Sequence, residues 1–138
     1  MVKKKELQKL SDRKLEELKK LYDARFYDSV VEQSGLVVEY GLKASICKNI
    51  KKDMYPEYGR YKIHEPEKLI DLANLRNDLE LEKSNNIDFF VSWSLLSKWS
   101  VNFRYRPIGS SDEKESKEYI KALDDQIGGV HPWIRKHW

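Results

Sequence analysis

The chain reads as an all-α, up-and-down helical bundle of four to five helices. Three observations carry that reading. Apolar residues recur at three- and four-residue spacing through most of the length, the pattern of helices with one buried face. No useful stretch alternates with period two. Only 6 Gly and 4 Pro punctuate 138 residues, too few for a turn-rich β-sandwich. The whole of 1–138 forms one domain, a size that buries roughly two-thirds of its unfolded surface without disulfides or a structural metal. Residues 1–10, which hold Lys3, Lys4 and Lys5, read as a candidate disordered basic tail.

The first helix is expected over about 12–22, capped by Ser11 or Asp12, with Leu15, Leu18 and Tyr22 on one face. The second begins near Asp28 and runs to about Ile50. Val30, Val31, Ser34, Val38, Gly41, Leu42, Ser45 and Ile46 form its apolar stripe. Gly35, Gly41 and Ala44 lie inside it, although glycine costs about 1 kcal/mol in a helix interior. Close approach of another element, which a Cβ would block, is the expected compensation.

Residues 55–63 form a tyrosine-rich connection with Pro56 and Gly59 as breakers. A third helix opens at Pro66, a residue suited to a first helical turn, and carries Leu69, Ile70, Leu72 and Leu75. A polar loop is expected at 83–86. The fourth helix starts near Asp88, with Phe89, Phe90, Trp93, Leu96 and Trp99 along it. That broad stripe predicts a central position or a subunit interface. Pro107 disfavours helix at Arg106. Ser110 and Glu113 predict a capping box for the fifth helix, which carries Tyr119, Ile120 and Leu123 and stops at Gly128 and Gly129. Pro132 can open a last short helix to Trp138.

Composition bounds the function. Lys plus Arg is 26 and Asp plus Glu is 23, so a net charge of +3 does not by itself imply nucleic-acid binding. One cysteine, Cys47, excludes an internal disulfide and a Cys-rich zinc site, and suggests a cytoplasmic setting. No apolar run follows Lys3–Lys5 as a signal peptide would require, and no transmembrane segment is expected. The histidines His64, His131 and His137 make no His-Glu-x-x-His pattern, and the glycines make no phosphate loop, so neither a metal nor a cofactor is predicted.

Three groups could carry chemistry. Glu39 and Lys43 stand at i, i+4, beside the apolar stripe. They form either a solvated pair or a polar network that orients a His or Arg from a neighbour. Arg104, Tyr105 and Arg106 combine forks for phosphate with a ring that can stack on a base; the alternative is a solvated loop that caps a helix. His64 either caps the following helix or hydrogen-bonds across the bundle, and Arg60 could share its face if the turn is helical. Cys47 reads as a buried thiol, and Trp133 and Trp138 as packing on the bundle or as part of an interface.

The run Tyr27-Asp-Ser-Val-Val-Glu-Gln-Ser-Gly-Leu-Val-Val-Glu-Tyr-Gly-Leu-Lys-Ala44 resembles the signature helix of bacterial HEPN domains, with Gly35, Val38, Glu39, Leu42, Lys43 and Ala44 in matching order. His64 followed by Leu69 is similar to that family's His-x-Leu element. Trp99-Ser-Val-Asn-Phe-Arg-Tyr105 resembles its Trp-Ser-x-x-x-Arg-Tyr element. The ending Gly129-Val-His-Pro-Trp-Ile-Arg-Lys-His-Trp138 resembles the Gly-Val-x-x-Trp-Ile-Lys ending of one bacterial subgroup.

The resemblance implies a bundle that forms a homodimer. Family members are ribonucleases of toxin–antitoxin and antiphage systems, or non-catalytic modules beside a minimal nucleotidyltransferase. The ribonucleases carry Arg followed by His after four to six residues, and no Arg here meets that spacing. The first expectation is therefore a non-catalytic, cytoplasmic, dimeric module. It would bind a nucleotide, RNA or a partner nucleotidyltransferase through Glu39, Lys43, His64, Arg104, Tyr105 and Arg106. The second is a metal-independent endoribonuclease with His64 as acid/base and Arg104 or Arg60 on the phosphate. The third is a structural dimerisation module whose surface carries Phe89, Phe90 and Trp93.

Overall fold

The computed structural model describes residues 2–138. The described residues form an all-α bundle of seven helices and hold no strand. They are α1 (Lys4–Asp23), α2 (Tyr27–Asn49), α3 (Pro66–Leu72), α4 (Arg76–Asn85), α5 (Ile87–Leu96), α6 (Glu113–Asp124) and α7 (Val130–Arg135). Single 3₁₀ turns occupy Gly59–Tyr61 and Val101–Tyr105.

α2 is the central element. It packs along α1 and also meets α3, α6 and α7. Its buried residues, among them Val30, Val37, Val38, Leu42, Ala44 and Ile46, face neighbours almost all round. Its glycines bear out the close-approach reading, but side chains do the approaching. A Cβ on Gly35 would lie 1.8 Å from Cδ2 of Trp99. The Trp99 indole lies across that bare backbone and donates to the Glu32 carbonyl at 2.9 Å. At Gly41, Ile134 of α7 closes in, and the Trp138 indole donates to the Gly41 carbonyl at 3.1 Å.

The first helix starts two turns earlier than expected. Lys4–Leu10 is helix rather than tail, because Leu7 extends the buried spacing Leu7, Ser11, Leu15, Leu18. Ser11 is no cap: it lies buried in mid-helix and its hydroxyl donates to the Val37 carbonyl at 2.8 Å. The start of the chain is held by Lys4 N–H to the Asp53 carbonyl and Tyr55 N–H to the Val2 carbonyl.

The expected third helix is two. Asn74 adopts φ 58°, and the Leu75 N–H returns to the Ile70 carbonyl, which ends α3 and lets the chain turn into α4. Arg76 fixes the turn with hydrogen bonds to Glu67 and Asp71, and Glu67 also accepts from the Trp93 indole at 2.8 Å. Residues 83–85 continue α4, so the expected polar loop reduces to Asn86, whose side chain accepts from the Phe89 N–H and caps α5 in place of Asp88. Asp112, not Ser110, caps α6 by accepting from the Glu115 N–H. Trp99 lies past the end of α5, and α7 begins at Val130, ahead of Pro132.

Phe89 and Trp93 are fully enclosed in the core, and Trp133 stacks obliquely on Phe89. Both are thereby removed from the dimer surface expected of them; only Phe90 of that trio is exposed. Cys47 is buried, and burial pushes its thiol above the ordinary range. No helix among the described residues is long and apolar enough to cross a membrane.

Candidate functional site

Glu39 is the charged residue among the buried positions of α2, at 6% exposure, beside the buried hydroxyls of Ser34 and Ser45. Both of its oxygens are occupied. Oε2 accepts from Lys43 Nζ at 3.1 Å, one helical turn on. Oε1 meets His64 Nδ1 at 2.9 Å, from the segment just before α3. A buried carboxylate needs such partners, because leaving one unpaired costs several kcal/mol. The network reading of Glu39 and Lys43 thus has a definite geometry, with His64 as its third member. With Nδ1 turned to Glu39, the half-exposed imidazole keeps Nε2 for solvent or a ligand.

Lys43 and His64 of this trio line a groove of about 490 Å³ between the start of α1, the middle of α2 and the 55–64 connection, with Glu39 behind them. Val2, Leu7 and Leu10 give it an apolar floor on one side. Tyr40, Tyr55 and Tyr61 line it, with Lys43, Lys62, His64 and Glu57 at its polar edge. Tyr55 and Tyr61 order each other. Tyr55 O–H donates to the Tyr61 carbonyl at 2.7 Å, and the Tyr55 and Tyr61 rings meet edge to face at 6.0 Å. Burial, and then the Glu39 charge, raise the Tyr55 phenol above its ordinary range. Lys43 Nζ sits 5.0 Å over the Tyr55 ring, so Glu39 and the π face share it. Lys62 is exposed.

The arginine cluster lies elsewhere. Arg106 donates to Glu115 Oε1 at 3.1 Å and stacks on Phe103. It lines a small hollow with Asp28 and Glu32 at the start of α2. Arg104 lies over the exposed Tyr105 ring. Asp28 precedes Glu39 by eleven residues, about 16 Å along the helix axis. Within one chain, therefore, Arg104, Tyr105 and Arg106 do not converge with Glu39, Lys43 and His64. Asp28 instead anchors the loop ahead of α6, where its carboxylate accepts from the N–H groups of Gly109 at 2.6 Å and Ser111 at 2.9 Å. Those hydrogen bonds hold its carboxyl below the usual range. Arg60 stacks on Tyr61, and the helical turn it needed spans only Gly59–Tyr61.

Sequence reasoning missed Tyr40, Tyr55, Tyr61 and Lys62 as lining residues. The available signal was the i, i+3 repeat Tyr55, Tyr58, Tyr61 leading into Lys62 and His64. Among the described residues no three His, Cys, Asp or Glu side chains converge as a metal ion would require. No family model, curated protein or solved structure matches the chain.

Proposed function

We propose that the chain is a HEPN-like binding module that takes a nucleotide or single-stranded RNA in the tyrosine-lined groove, without cleaving it. The juxtaposition of Tyr40, Tyr55 and Tyr61 with Lys43, Lys62 and His64 in one groove carries this reading. Rings supply stacking surface for a base, and the cations supply attraction for a phosphate. The volume suits a single nucleotide unit. Glu39 acts as the positioning residue, since it fixes both Lys43 and His64. Relative to the sequence expectation, the binding set keeps Glu39, Lys43 and His64 and exchanges the arginines for Lys62 and the tyrosines. A role beside a nucleotidyltransferase or in a toxin–antitoxin system is compatible with such a module and rests on the resemblance alone.

One observation favours a second reading, an endoribonuclease. A carboxylate on Nδ1 of a histidine that lines a groove is an arrangement that supports general-base chemistry. In that case Lys62 or Lys43, rather than Arg104, would stand near the phosphate.

Anisotropy of a fluorescein-labelled oligoribonucleotide, with ATP as competitor, separates these readings when paired with an EDTA-containing cleavage gel. Lys62→Ala should weaken binding several-fold and flatten its salt dependence by about one phosphate contact, while Arg104→Ala leaves both unchanged. Intact RNA in the gel supports the binding module. Cleavage by wild type that His64→Ala abolishes would establish the nuclease instead. Absence of any RNA or ATP binding would remove both.

A further inference from the structure

The tyrosine-rich connection carries one ring that the groove does not use. Tyr58 is 61% exposed and lines a neighbouring hollow of about 450 Å³ with Lys52, Asp53, Met54 and Pro56. The buried Pro56 lines both the groove and the hollow, so the two adjoin across it. Three rings run from one to the other. Tyr61 meets Tyr55 edge to face on the groove side, and Tyr58 at 5.9 Å and 78° on the other. Arg60 lies over the Tyr61 ring at 5.4 Å, so a guanidinium stands at the junction.

The surroundings are basic. Backbone hydrogen bonds from Lys4 to Asp53 and from Tyr55 to Val2 set Lys3 opposite Met54, at the edge of the hollow. Lys3 and Lys52 are both exposed, and no ion pair engages either among the described residues. Over 51–62 four cations stand against two carboxylates, Asp53 and Glu57, and Lys3 adds a fifth cation. A mononucleotide in the groove leaves Tyr58 and these cations unused, because the groove holds one nucleotide unit and Pro56 separates it from the hollow. A strand uses both. Rings at successive positions and cations along the backbone are how single strands are held. We infer that the ligand of this end of the bundle is a single strand of two or more nucleotides: one base in the groove, the next stacked on Tyr58, and Arg60 on the phosphate between them. This rests on the reading of the groove as a nucleotide site. Lys52 and Lys3 receive the strand beyond. The strand is unpaired, because bases stacked within a duplex have no free face to offer.

Isothermal titration calorimetry with AMP and with the dinucleotide pApA tests this through the ratio of their affinities. For the wild type, pApA should bind about tenfold tighter or more, the gain expected of one further stacked base. Tyr58→Ala should remove most of that gain, and Tyr58→Phe should keep it, since the ring stacks and the hydroxyl does not. Arg60→Ala should weaken pApA binding and lower its salt dependence by about one phosphate contact. Tyr58 lies outside the core, so its variants should keep the wild-type circular dichroism spectrum. Equal affinities of the wild type for AMP and pApA overturn the inference and leave the groove reading standing. A gain that survives Tyr58→Ala overturns it too, as does a loss as large with Tyr58→Phe as with Tyr58→Ala. Binding of neither probe overturns the groove reading itself, and this inference with it.

Discussion

At the scale of single residues, the most demanding position is Gly35. A helix interior loses stability by carrying glycine, and α2 accepts the loss because the Trp99 ring occupies the space of the missing Cβ. The indole N–H is committed to the Glu32 carbonyl, so the ring cannot back away without leaving a buried donor unpaired. Gly35→Ala would improve helix propensity by about 1 kcal/mol and lose more than that to the clash. The expected net destabilisation is about 2 kcal/mol or more, read as a lower urea midpoint with an unchanged slope. A more stable Gly35→Ala protein would mean that Trp99 does not rest on this backbone. Glu39 shows the same economy: one carboxylate satisfies its own burial and fixes the two groups, Lys43 and His64, that face the groove.

At the scale of elements, α1 separates what the sequence discloses from what it conceals. Lys3, Lys4 and Lys5 look like a tail because local charge dominates the window. Leu7 alone continues the spacing set by Leu15 and Leu18, and one apolar residue is a weak signal until its partner surface is known. Leu7 is buried and also lines the tyrosine groove, so Leu7→Ala should cost about 2–4 kcal/mol in chemical denaturation. A true tail residue would cost nothing. The break between α3 and α4 was hidden for a different reason. Three turns end in the left-handed region without glycine, at Arg25, Lys51 and Asn74. A reading that looks for glycine or proline passes over all three. The long apolar period of α2 was legible because it is dictated by burial on nearly every side. The site was half legible: Glu39 and Lys43 share a turn, but His64 reaches them across 25 positions of chain, and only the fold determines that contact. Within one chain the arginines stay apart from Glu39: Arg106 is held by Glu115 and the Phe103 ring, and Arg104 lies over the Tyr105 ring.

At the scale of the whole molecule, the closure of α7 onto α1 makes stability depend on pH in a definite direction. His131 is buried, and its Nε2 meets Asp12 Oδ1 at 2.9 Å, joining positions 119 residues apart. Burial holds the imidazole below its ordinary value of 6.5; Asp12 pulls the other way without overcoming it, and Arg135 reinforces the depression. His137 is shifted in the same direction, again by burial first. The unfolded chain therefore takes up these protons near pH 6.5, while the native chain resists them to lower pH. Between those two values the unfolded state binds more protons, so stability rises with pH through the window and is lost as pH falls through it. The carboxylates add a second, separate step. Asp28, held down by two backbone N–H groups, and Asp71, held down by Arg76, contribute stability that persists until the pH approaches the ordinary carboxylate range. Unfolding followed from pH 8 to pH 3.5 should thus show a first loss beginning near 6.5 and a second near 4. His131→Gln retains a hydrogen-bonding side chain opposite Asp12 and has no proton to gain, so it should shrink the first step to the share of His137 and leave the second in place. A wild-type curve level between pH 7.5 and 5.5, or a His131→Gln curve as steep as wild type there, would show that burial does not keep the proton off His131 in the native state.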